Sequence, residues 1–273
     1  MRAIDVKTPD GLAIAAGEWG NPAGPEIVFL HGLSQSSLSW TRQLTDPGLA
    51  KEFRMIAYDF RGHGASDKPA EAEKYLQDRI WADDLASVIT AAGLKRPVLC
   101  GWSYAGRVIS DYVRTHGQAG IAGINFVAAV TKSGNEFLGP EIKNVGGMIS
   151  DDLVTNIAAT RAFLHACFTN PPAAQDFEIM LAFNMVVPAK VRAAAVNRAP
   201  NAGDILPKLT LPVLVTHGAD DKIVRVAFGE FTASAILDAK LSVYDGIGHA
   251  PFFEDAPRFN AELAAFVRMA QRV

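Results

Sequence analysis

Apolar and polar positions along the chain follow two alternating periods, and that alternation predicts the fold class. Runs in which nearly every position is apolar read as strands buried on both faces: EIVFLHG (26–32), FRMIAYD (53–59), RPVLCG (96–101), IAGINFVAAV (121–130), LPVLVTHG (211–218) and AKLSVYDG (239–246). Residues 3–7 and 12–19 read as a hairpin around Pro9-Asp10-Gly11. Helical spacing takes over at 78–92, 104–116 and 256–271. In the first of these Ile80, Leu85, Val88 and Ile89 share one face, and Gly93 supplies a C-terminal stop. Strands alternating with helices predict an α/β protein with a mostly parallel central sheet of about eight strands and helices on both faces.

The rhythm breaks between about Thr131 and Leu209. Strand patterns vanish there, and DDLVTNIAATRAFLHACF, AAQDFEIMLAFNMV and AKVRAAAVNR read as helices separated by Asn170-Pro171-Pro172 and Val187-Pro188. The expected organisation is a core of residues 1–130 and 210–273 carrying an inserted helical cap or lid, 131–209. The lid would cover the carboxyl edge of the sheet, where open α/β sheets bind ligands.

Composition narrows the partners. The 273 residues are 49% apolar and 20% charged, the balance of a globular protein, and the net charge of −3 offers no basic footprint for nucleic acid. No Lys/Arg cluster favours an anionic membrane, and no apolar run reaches the roughly 18 residues of a membrane span. Arg2, Asp5, Lys7 and Asp10 interrupt any apolar signal segment, while Cys100 and Cys167 read as small buried residues of a reducing compartment. A cytoplasmic protein acting on small molecules is the expectation. There is no His-Glu-x-x-His, zinc-spaced cysteine pair, Gly-x-Gly-x-x-Gly or Gly-Lys-Ser/Thr loop, so neither metal nor cofactor is expected.

Candidate chemistry collects at the strand ends. Gly101-Trp102-Ser103-Tyr104-Ala105-Gly106 follows a strand and opens a helix, the setting of a nucleophile elbow, although alanine stands where Gly-x-Ser-x-Gly has its last glycine. A serine hydroxyl needs a base, and His249, in DGIGHAPFFEDAPRF, follows the last strand on a glycine-rich loop at the same edge. A carboxylate should orient that imidazole; Asp220 and Asp221, after LPVLVTHG, are both placed to do so. His31 and His63 precede or lie within loops and read as hydrogen-bonding loop residues.

With HGLSQSSLSW (31–40), DFRGHGASDKP (59–69), GWSYAG (101–106), HGADDKIV (217–224) and GHAPFFEDAPRF (248–259) in this order, the chain resembles the α/β-hydrolase family over nearly its whole length. The resemblance implies a catalytic triad of Ser103, Asp221 and His249, with Asp220 as the alternative acid. It also implies an oxyanion hole formed by the backbone N–H groups of Leu33 and Tyr104. Dehalogenases and epoxide hydrolases of this family have aspartate at the elbow, so the serine favours acyl chemistry. The expected function is hydrolysis of carboxylic esters, thioesters or lactones of small to medium apolar substrates through an acyl-enzyme, with water as second substrate. Carbon–carbon bond hydrolysis and perhydrolysis are the alternatives on the same triad, and a receptor-like binding protein is the alternative of another class. Trp40, Trp102, Phe137, Phe168, Met180 and Phe183 are the candidates to line an acyl pocket.

Overall fold

The computed structural model describes residues 1–198 and 202–272. The chain begins with β1 (Arg2–Lys7), β2 (Ala13–Gly20) and β3 (Glu26–Leu30), then α1 (Thr41–Leu44) and α2 (Pro47–Glu52) lead to β4 (Arg54–Tyr58). After α3 (Glu73–Leu76) and α4 (Asp78–Ala91) come β5 (Val98–Trp102), α5 (Ala105–His116) and β6 (Gly123–Val127). A helical stretch follows: α6 (Asn144–Met148), α7 (Leu153–Ala166), α8 (Ala174–Met185) and α9 (Ala189–Asn197). β7 (Val213–Gly218), α10 (Val226–Ser234), β8 (Lys240–Tyr244), α11 (Pro251–Glu254) and α12 (Ala256–Ala270) complete the fold.

The eight strands form one sheet in the order β1-β2-β4-β3-β5-β6-β7-β8, antiparallel at β1–β2–β4 and parallel from β4 to β8. Alternation along each strand divides the interior. Ile27 and Phe29 of β3 pack into one core with Phe259 and Leu263 of α12. Val28 and Leu30 enter the other with Leu85 and Val88 of α4 and Val108 and Ile109 of α5. The chain leaves β3 toward β4 on one side, whereas β5 pairs on the other. The loops after β3 and β5 therefore diverge and open a crevice at the carboxyl edge. Among the described residues, no single helix is long and apolar enough to cross a membrane.

The expected strands are all present, most of them shorter than the apolar runs, although β1 starts one residue earlier and β2 and β5 end one residue later than expected. The run 121–130 is cut most: its strand stops at Val127, Ala128 turns with φ 43°, and the Val130 N–H reaches back to the Ser103 carbonyl at 3.0 Å. Tertiary pinning of the next loop overrides the apolar pattern there. α6 escaped the sequence reading because it contains Gly146 and Gly147, poor helix formers. Packing accounts for Gly147: a Cβ there would sit 2.5 Å from the Ala159 methyl of α7.

The helices between β6 and β7 converge on Arg192 of α9, whose residue is 1% exposed. Its Nη1 donates to the Met148 carbonyl (3.0 Å), Asn156 Oδ1 (2.8 Å) and Thr160 Oγ1 (3.0 Å), and its Nη2 donates to the Asn184 carbonyl. One cation thus satisfies orphan carbonyls at the ends of α6 and α8 and polar side chains of α7. Burial lowers its pKa to about 10, so it stays charged at neutral pH. The Asn184 carbonyl also accepts from Ser34 Oγ at 3.5 Å, which ties this helical layer to the loop after β3.

Candidate active site

β5 runs directly into Ser103, which adopts φ 56°, and α5 starts two residues later. Few non-glycine residues accept this left-handed conformation, so the surroundings must hold it. The Ser103 N–H donates to the Val127 carbonyl at 2.9 Å, and the Ser103 carbonyl accepts from Gly106 and Val130, each at 3.0 Å. Close approach then explains the small residues. A Cβ on Gly101 would meet the Ala105 methyl at 3.1 Å and Ile109 Cδ1 at 2.5 Å, and one on Gly106 would meet the Val130 carbonyl at 2.8 Å. Ala105 is accommodated because its neighbour across the turn is Gly101, so the missing glycine of the motif leaves the elbow intact.

His249 Nε2 lies 2.9 Å from Ser103 Oγ, and His249 Nδ1 lies 2.7 Å from Asp221 Oδ2. An ionised carboxylate only accepts, so Nδ1 carries the proton and Nε2 is left to accept from the serine hydroxyl. The histidine loop is held on three sides. The His249 N–H donates to the Cys167 carbonyl (2.9 Å), its carbonyl accepts from Trp102 Nε1 (2.8 Å), and the neighbouring Gly248 N–H donates to Glu254 Oε1 (2.8 Å). Glu254 Oε2 also accepts the N–H groups of Thr169 and Asn170, joining this loop to the segment after α7.

Of the two adjacent aspartates, Asp221 is the one whose carboxylate faces His249. Its Oδ1 accepts from Ile223 N–H (2.8 Å) and Val224 N–H (2.9 Å), leaving Oδ2 to face His249 and also His217 Nε2, at 3.2 Å. Burial pushes its carboxyl upward, but His249 and the hydrogen bond from His217 outweigh that and hold it well below the usual carboxylate range. Asp220 is exposed, and among the described residues it engages only through its amide, which donates to the Ile247 carbonyl.

The loop after β3 is built around two neutral histidines. His31 Nε2 accepts from the Phe60 N–H (3.0 Å) while its Nδ1 lies 2.8 Å from the Gly32 carbonyl; His63 Nε2 accepts from the Ser34 N–H (3.3 Å). Burial lowers His31 to about 4, against the pull of Asp59, and holds His63 well below its ordinary value. Leu33 and Tyr104 line the same cavity as Ser103, and among the described residues neither main-chain N–H donates to a protein acceptor. Two free amides beside a serine hydroxyl are the donors an oxyanion would need.

A histidine kept neutral by the fold destabilises it in acid. The contribution of His31 is complete above its unfolded value of about 6.5 and is lost as pH falls toward its folded value of about 4. The stability gap between the parent protein and His31→Asn, measured by thermal unfolding, is therefore expected to narrow from pH 7 to pH 4.5. A gap that stays constant would show that His31 is not held neutral.

The cavity at Ser103 has a volume of about 230 Å³. Its walls are largely apolar, with Val130, Leu138, Ile142, Val145, Phe163 and Ile223 among them. The six residues expected to line it lie elsewhere, which corrects the sequence reading. Trp40 is buried between Phe29 and Phe252, at centroid distances of 4.9 and 4.3 Å. Phe137 stacks on Phe228 at 4.7 Å. Trp102, Phe168, Met180 and Phe183 line a separate, nearly filled crevice of about 10 Å³. They are large apolar groups spent in packing contacts, while mostly aliphatic side chains, with Phe163 and Tyr104, line the Ser103 cavity. Trp102 nonetheless touches the site from behind, through its bond to the histidine loop. His217 and Glu254 were within quoted motifs, HGADDKIV and GHAPFFEDAPRF, but nothing in their spacing marked them as supports.

Residues 27–262 match the family model described as "Alpha/beta hydrolase family". A Burkholderia cenocepacia protein described as an aryl esterase is 40% identical, with a TM-score of 0.92 and 100% of both chains covered. The esterase RhEst1 from Rhodococcus sp. ECU1013 is 36% identical over 98% of this chain and 99% of that one, with a TM-score of 0.91. The bifunctional esterase/perhydrolase DCH of Acinetobacter calcoaceticus is 29% identical, covering 96% of this chain and 99% of that protein. The matched span runs from β3 into α12 and contains the serine elbow, both loops that meet it and the histidine it contacts: this chain belongs to the alpha/beta hydrolase family.

Proposed function

We propose that this protein is a serine esterase acting on carboxylic esters, thioesters or lactones through an acyl-enzyme. The observation that carries the reading is Ser103 Oγ, 2.9 Å from His249 Nε2, at the wall of an apolar cavity. In this mechanism His249 takes the hydroxyl proton as Oγ attacks the substrate carbonyl, and the Leu33 and Tyr104 N–H groups stabilise the resulting oxyanion. Collapse expels the alkoxide, which takes the proton from His249. Water, activated by the same base, then attacks the acyl-enzyme and releases the acid. Asp221 holds the Nδ1–H tautomer and stabilises the imidazolium. The substrate is a small molecule; nucleic acid and membrane play no part. Residues 131–209 act as the cap that shapes the pocket, and two unpaired buried thiols suit a cytoplasmic location.

Perhydrolysis is the second reading, favoured by the name of the Acinetobacter relative. Hydrogen peroxide in place of water would convert the same acyl-enzyme into a peracid. The test is a chain-length series of p-nitrophenyl esters, with and without peroxide, alongside labelling by a fluorophosphonate. Turnover together with a single covalent adduct located at Ser103 by mass spectrometry is expected. Absence of both would end the esterase reading.

A further inference from the structure

Among the described residues lining the Ser103 cavity, Arg107 is the one that carries a charge. It stands four positions after Ser103, in the first turn of α5. Ester hydrolysis as derived above has no use for it.

Two buried arginines of this protein have carboxylate partners close by, whereas a third, Arg192, is met by carbonyls and neutral side chains. Arg61 holds Asp84 at 2.6 Å, and Arg198 holds both Asp78 and Asp111. Arg107 has none in an ion pair among the described residues, and Asp78 and Asp111, the acidic groups whose fields reach it, are already engaged by Arg198. Its Nη1 donates to the main-chain carbonyls of Ala195 (3.4 Å) and Arg198. Its Nε is buried without an acceptor, and no described residue accepts from Nη2. The guanidinium lies 5.0 Å from the ring centroid of Tyr104, whose hydroxyl is itself held by Arg198 at 2.9 Å. Its plane is thus supported, Nε is closed off, and Nη2 is the donor left for a ligand. A guanidinium without a carboxylate partner at an apolar wall is best completed by an anionic group on the ligand.

We infer that Arg107 receives a carboxylate borne by the substrate, so that the preferred esters are half-esters of dicarboxylic acids or other esters with an anionic carboxylate remote from the scissile bond. The inference rests on the proposed esterase chemistry. The ester carbonyl sits at Ser103, the intervening methylenes contact aliphatic residues such as Val130 and Ile142, and the carboxylate meets the guanidinium.

The experiment compares kcat/KM for p-nitrophenyl hydrogen adipate and suberate with the neutral hexanoate and octanoate esters, in the parent protein, Arg107→Gln and Arg107→Lys. The leaving group is the same throughout, and the acidic-to-neutral ratio within one preparation cancels any loss of folded protein. The parent is expected to prefer the acidic ester by on the order of 10- to 100-fold, mainly through KM. Arg107→Gln should abolish that preference and Arg107→Lys retain part of it. Neutral esters hydrolysed with no acidic preference, or a ratio unmoved by Arg107→Gln, would overturn the inference and leave the esterase reading standing. Silence toward all four esters would remove both.

Discussion

Replacing Ser103 with alanine is expected to lower kcat for ester hydrolysis by about a million-fold, with little change in KM. The substitution removes Oγ, the atom proposed to bond to the substrate, whereas the cavity walls and the two free amides are untouched. Residual hydrolysis would come from binding and the oxyanion donors alone. A loss of less than tenfold would rule out Ser103 as nucleophile. The same site offers an independent reading of the elbow. Ser103 sits at φ 56°, a conformation strained for serine and for alanine but not for glycine. Ser103→Gly should therefore be as inactive as Ser103→Ala yet more stable than it by about 1 kcal/mol. Since both variants lack the hydroxyl, a difference in their unfolding midpoints isolates the backbone strain. Equal midpoints would mean that the elbow stores none.

Asp221→Asn is expected to reduce kcat by about ten-thousand-fold, while Asp220→Asn changes it by no more than about twofold. The cause lies in the fourfold use of one carboxylate. Oδ1 accepts two backbone N–H groups, so an asparagine must place its own carbonyl there and turn its NH₂ toward His249 Nδ1 and His217 Nε2. Donor then faces donor. His249 escapes by taking the tautomer protonated on Nε2, which cannot accept the proton from Ser103 Oγ. The lesion is one of proton placement, so KM should move far less than kcat. Asp220 is solvent-exposed and contacts neither histidine, and among the described residues only its backbone is engaged. The opposite ranking of the two variants would transfer the acid role to Asp220.

Most of the fold was legible because its signals are local. A strand buried on both faces must be apolar at nearly every position, and β3, β5, β6 and β7 obey that rule, so their order could be read directly. The proline breaks separated α7, α8 and α9 for the same reason. α10 was missed because apolar residues are spread around VAFGEFTAS without a single face. The serine, the histidine and the aspartate pair were legible because each lies where a strand ends and a loop begins. Such positions carry residue types that packing does not demand.

What the sequence by itself determined, then, is the set of strands, the edge of the sheet at which candidate chemistry collects and the side chains proposed to act there. Only the tertiary structure decided how those side chains are supported and what faces the substrate. Asp221 is separated from Asp220 by which carboxylate the turn buries against His249 and His217. The cavity wall is mostly aliphatic because Trp40, Phe137, Met180 and Phe183 pack against other neighbours. Arg107 gains its meaning from the carbonyls that hold one edge of its guanidinium and the absence of any described acceptor at the other. Each of these depends on contacts between residues far apart in the chain, which periodicity does not encode and close packing does.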